Sequence, residues 1–216
     1  MRRSAPIGDD GPDRADTVLL AELDERLRSA STRAGSRLGC RLGCTECCIG
    51  PFPITALDAR RLRRGLRELA GREPARAQRV GARASEAARF LKEGFAGDGR
   101  FQLDEDDGRR EAYLTRHGAL PCPALDPETG GCDLYELRPM SCRTFGPPVR
   151  IGEEDLPPCR LCFTGAPSAE IEACRVEVDP DHLEDEILSE LERQAEPTGE
   201  TLVAFALASE GGHVSS

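Results

Sequence analysis

Tryptophan is missing from the 216 residues, aromatic side chains make up only 4%, and Lys92 is the sole lysine among 29 basic residues. Few large aromatic groups leave hydrophobic burial near the lower edge of what a packed core needs, so another source of stability is expected. The longest apolar run, LVAFALA at 202–208, has seven residues, well short of the ~20 that cross a bilayer. Histidine is scarce: His117, His182 and His213 are widely spaced, which argues against a histidine-rich catalytic zinc site. His117 is expected at the surface, with a ligand role near Cys122 as the alternative. No G-x-x-x-x-G-K-[ST], no G-x-G-x-x-G before a helix and no G-x-S-x-G occurs, which removes the common nucleotide sites and the hydrolase nucleophile elbow. The acidic run at 104–107 lacks EF-hand spacing and reads as a solvated loop.

A net charge of −10 opposes nonspecific attraction to a phosphate backbone. The charge is uneven, with eleven basic and five acidic side chains over 58–93, and one basic and ten acidic over 177–200. Such runs read as solvated faces, or as surfaces that meet each other or a partner. The N-terminal MRRSAPIGDDGPDRAD lacks the apolar core of a secretory signal, so a cytoplasmic location without a membrane span is expected. In that reducing setting the ten cysteines read as metal ligands or redox centres rather than disulfides.

Residues 1–15 are expected to be a disordered tail, 16–210 a single domain, and 211–216 a flexible end. Asp16 reads as the cap of an amphipathic helix ending near Gly35, and Thr55 with Asp58 as a capping box. That box opens a helix carrying Leu57, Leu62, Leu66 and Leu69, and another helix follows from about Pro74 to Lys92. A short helix is expected near 110–116, and 121–167 is too rich in Pro, Gly and Cys for long elements. Asp181 reads as the cap of a last helix with Leu183, Ile187, Leu188 and Leu191. The run at 201–209 is ambiguous between helix and strand. The fold class is thus mainly α, a small helical domain with irregular, cysteine-rich metal-binding loops.

The thiols fall into two clusters. The first is CRLGCTECC, with Cys40, Cys44, Cys47 and Cys48. Three- and four-residue steps allow sulfurs to converge on a metal at about 2.3 Å. Neighbours on a helix point about 100° apart, so one ion is not expected to take both Cys47 and Cys48. Two metals, a multinuclear cluster gripped on two sides, or a thiol that merely packs remain open. The second cluster holds Cys122, Cys132 and Cys142, then the chelating pair Cys159 and Cys162, and finally Cys174 in an apolar run. Cys174 reads equally as a buried small hydrophobe. A four-thiolate site carries about −2 around a divalent ion, and buried charge needs cations or hydrogen bonds. Arg138, Arg143 and Arg160 are placed to answer it, Arg138 and Arg143 being the cofactor-binding candidates, with Tyr135 and Phe145 as a dry lid.

The string CxxxCxxCC, followed after 73 residues by C-P-x-L and then C-x-L-Y-E-x-R-P-x-x-C-R-x-F, resembles the YkgJ-type cysteine-cluster proteins, a zinc- or iron-chelating family named for CxxCxxCC. Its first step here has three intervening residues where the family name has two. The resemblance implies Cys40, Cys44, Cys47, Cys48, Cys122, Cys132 and Cys142 as the shared metal-binding set, with Cys159 and Cys162 as an extension. The expected function is chelation of iron, as an iron–sulfur or other polynuclear cluster, or of zinc. Alternatives are an iron–sulfur or thiol-redox enzyme using the same cysteines, and a structural zinc module for protein contacts.

Overall fold

The computed structural model describes residues 11–100, 102–103 and 106–208. The tail readings at 1–10 and 211–216, His213 and part of the acidic run at 104–107 lie outside them, whereas 11–15, expected in the tail, are the first turn of a helix. In chain order the elements are α1 (Gly11–Ala34), β1 (Pro53–Ile54), α2 (Ala56–Arg72), α3 (Pro74–Leu91), α4 (Asp107–Arg116), α5 (Met140–Thr144), β2 (Val149–Ile151), β3 (Glu154–Leu156), α6 (Ser168–Glu172), β4 (Val176–Val178), α7 (Leu183–Arg193), β5 (Thr201–Leu202) and α8 (Val203–Ala208). Helix predominates, as expected. The chain divides into two compact units, residues 11–41 with 140–198, and residues 42–139 with 199–208.

In the first unit α1 starts five residues before Asp16, whose side chain is buried inside the helix rather than capping it. Leu19, Leu20, Leu23, Ala30 and Ala34 line its inner face, the i, i+3, i+4 spacing that sets one side of a helix against a core. This face meets α7, through Ile187 and Leu191, and β4, whose Val176 and Val178 point inward. β2 pairs antiparallel with β3 and parallel with β4, with Val149 opposite Val176. Gly152, at φ +57°, makes the two-residue turn between β2 and β3, a conformation that suits glycine. Asp181 is not the cap of α7. Asp179 accepts from the Leu183 and Glu184 N–H groups, because the chain turns through positive φ at Asp179 and His182 and brings the earlier carboxylate under the helix.

In the second unit Thr55 accepts from the Asp58 N–H as expected, and α2 follows. Leu62, Leu66 and Leu69 of α2, Val80 and Ala84 of α3, and Ala206 and Leu207 of α8 share one core. Alanine at 77, 84, 87 and 88 gives α3 a flat face on which neighbours pack closely. The described part of the ambiguous run, 201–208, takes both forms. Thr201 and Leu202 pair with Ile54 and Pro53, and the chain then winds into α8. A second cluster joins Leu91, Tyr113 and Phe205, with the Tyr113 hydroxyl donating to the Leu91 carbonyl. Among the described residues no helix is long and apolar enough to cross a membrane.

Candidate metal centre

All ten cysteines lie among the described residues, and all are thiols. The two units cut across the two sequence clusters. Cys44, Cys47, Cys48, Cys122 and Cys132 belong to the second unit, and Cys40, Cys142, Cys159, Cys162 and Cys174 to the first.

In the second unit residues 46–48 form a single 3-10 turn, closed by the Cys48 N–H on the Thr45 carbonyl at 2.8 Å. Cys47 and Cys48 do not splay apart as helical neighbours would. Their sulfurs approach to 3.9 Å and share a hydrogen bond, because this turn is tighter than an α-helix and is not continued. Four sulfurs at 2.3 Å around one ion would stand about 3.8 Å apart along each tetrahedral edge, so this pair already has the span of two ligands to one ion. The helical splay behind the expectation that one ion would not take both is therefore absent at this turn.

Backbone bonds then join the second sequence cluster to the first. Gly50 donates to Leu120 and Cys122 to the Cys48 carbonyl, each at 2.7 Å, and Ile49 bridges Pro121. From Cys122 the chain turns back so that Cys132 bridges Leu125. Gly130, at φ +67°, makes this return, and a Cβ there would stand 3.0 Å from the Gly43 Cα. Two glycine backbones therefore touch where the loop of Cys44 meets the loop of Cys132. Asp133, next to Cys132, is buried and accepts from Arg76 Nε and Arg83 Nη2 at 2.5 Å each, which ties the cysteine loop to α3. Sequence reasoning had no signal for this carboxylate beyond its place beside a cysteine.

Electrostatics separate these thiols. The hydrogen bond from Cys48, aided by Arg138, brings Cys47 down to about 7, while Cys48 keeps the shared proton and is raised. Burial pushes Cys122 up to about 12 and raises Cys132, the latter opposed by the Leu134 N–H and Arg138. Arg138 also stacks 3.8 Å over the Tyr135 ring. Tyr135 is 56% exposed and is no dry lid.

The first unit gathers its own thiols. Phe163 donates to the Arg37 carbonyl at 2.7 Å, which brings Gly39 N–H to 3.4 Å from the Cys162 sulfur. A Cβ on Gly39 would lie 2.9 Å from the Leu161 carbonyl oxygen, so the two segments meet through bare backbone. The Cys40 thiol donates to the Phe145 carbonyl at 3.9 Å, and Gly146 lies against its sulfur. Cys159 N–H reaches the Gly146 carbonyl at 3.0 Å, and Cys162 N–H the Cys159 carbonyl at 2.8 Å. Cys142 stands on α5, three residues before Phe145. Arg143 is buried, with Nη1 on both oxygens of Asp24 at 2.7 and 2.8 Å, and Phe145 is 40% exposed. Cys174 packs in an apolar cluster with Ala34, Cys162 and Phe163.

His117 is buried, not on the surface. Phe90 and Tyr113 enclose its ring at 5.2 and 4.7 Å, and neither nitrogen has a partner among the described residues. Among the described residues no three His, Cys, Asp or Glu side chains are yet drawn around one point. The donors fit a thiophilic ion in their chemistry, soft sulfur with backbone N–H groups turned toward it, and the Cys47–Cys48 span fits in distance. No curated protein and no solved structure matches the chain. Residues 39–162 match the model of a family described as CxxCxxCC, "putative zinc- or iron-chelating domain". Since that match spans more than half of the chain and takes in nine of the ten cysteines, the protein belongs to the CxxCxxCC zinc- or iron-chelating family.

Proposed function

We propose that the protein holds iron through two thiolate groups, Cys44, Cys47, Cys48, Cys122 and Cys132 in one unit and Cys40, Cys142, Cys159 and Cys162 in the other. The observation that carries the reading is the 3.9 Å approach of the Cys47 and Cys48 sulfurs, beside a Cys122 fixed by its bond to the Cys48 carbonyl. Bound iron supplies one-electron chemistry or serves as a structural crosslink. Arg138 stands where it offsets the thiolate charge at Cys47 and Cys132. Arg143 is the second cationic candidate, its charge shared with Asp24.

Anaerobic purification with metal analysis and visible absorption tests this. A brown protein with acid-labile sulfide is expected, whereas a colourless protein with stoichiometric zinc overturns the iron reading and leaves chelation standing. Thiol exchange is the second reading, favoured by a Cys47 brought to about 7 beside a proton-holding Cys48. Rapid alkylation of Cys47 in the metal-loaded protein supports exchange, and full protection there excludes it.

A further inference from the structure

A cavity of about 400 Å³ opens in the second unit between the C-terminal half of α3 and residues 120–127. Its size falls within the roughly 300–1,000 Å³ typical of small-molecule sites. The walls are mostly apolar, with Phe90, Leu120 and Leu125 as their large side chains. Phe90 is 58% exposed, so an aromatic face stands in water at the mouth, the kind of surface that a ligand's apolar body would cover.

The wall has one cation. Arg83 is fixed by two bonds, Nε to the Pro123 carbonyl at 2.8 Å and Nη2 to Asp133 at 2.5 Å, and its Nη1 has no partner among the described residues. Asp133 is shared with Arg76, which also meets Glu73 at 3.4 Å, so the carboxylates match the guanidinium groups and what Arg83 offers the cavity is its Nη1 rather than a surplus charge. Glu86 also lines the wall, one turn along α3 from Arg83, where it is exposed and screened by solvent. A held guanidinium beside an apolar slot recognises a carboxylate with a flat or branched hydrocarbon body. We infer that this cavity is a binding site for a small aromatic or branched-chain carboxylate, seated against Phe90, Leu120 and Leu125 with its carboxylate on Arg83. Cys122 also lines the wall, so the ligand sits beside the thiolate group, but the inference stands whichever metal is bound.

Calorimetric titration of the full, metal-loaded chain with naphthalene-2-carboxylate and with its neutral carboxamide tests this. Saturable binding of the carboxylate is expected, roughly tenfold or more tighter than the amide, the difference made by a charge-assisted hydrogen bond. Arg83→Gln should bring the carboxylate to the affinity of the amide and leave the amide unchanged. Phe90→Asp, at a half-exposed site that does not disturb the Asp133 network, should weaken both and keeps the test open if the Arg83 variant does not fold. Absence of saturable binding, or equal affinity for acid and amide in the unaltered chain, overturns the site.

Discussion

Cys48 and Cys174 are the same residue type with opposite surroundings. Cys48 sits in a tight turn with a second sulfur at 3.9 Å, while Cys174 is packed among Ala34, Cys162 and Phe163. Cys174→Ala should therefore keep full metal content and cost about 1 kcal/mol, as a small trim from a packed site. Cys47→Ser and Cys48→Ser should each lower metal content, measured by elemental analysis on refolding-competent protein. Equal metal in the Cys48 variant and the parent would show that only one of the pair binds. His117 gives a pH prediction. Burial, and secondarily Arg116, hold its imidazole below the ordinary 6.5, with Glu93 opposing. Since the unfolded chain takes up the proton first, stability is complete above about pH 6.5 and declines as the pH falls below it. His117→Phe should flatten that decline in thermal melts between about pH 5 and 7; a parallel decline in both proteins would locate the effect elsewhere.

At the scale of elements, the helices were legible because their signals are local. Thr55 and Asp58 mark the start of α2, and the leucine spacing marks its inner face. Thr55→Ala should cost about 1 kcal/mol in a denaturant melt, the usual value of an N-cap side chain. The cap of α7 was misread because Asp179 and Asp181 are both suitable acids near the start, and backbone at positive φ decides which one reaches the N–H groups. The irregular cysteine loops depend on contacts of another kind. Gly130→Ala combines a left-handed conformation with a Cβ 3.0 Å from Gly43, so it should separate the Cys44 and Cys132 loops and reduce metal bound by the second unit. Unchanged metal content in this variant would mean that the glycine contact does not set the thiol positions.

Across the whole molecule the thiols follow the two units rather than the two sequence clusters. A Cys122→Ser, Cys132→Ser double variant and a Cys159→Ser, Cys162→Ser double variant should each lose roughly half of the bound metal. Complete loss in either would refute two independent groups. Cys48, Cys122 and Cys132 are raised and so protonated near neutral pH, and metal uptake must then release protons, measurable with a weakly buffered indicator. Residue order by itself determined the helical class, the start of α2 and the metal-chelating family, because periodicity, a local cap and the spacing of cysteines act over a few residues. Only the tertiary structure decided which sulfurs are neighbours. The bonds of Cys122 to Cys48 and of Cys159 to Gly146 join segments whose distance along the chain carries no record of their distance in space.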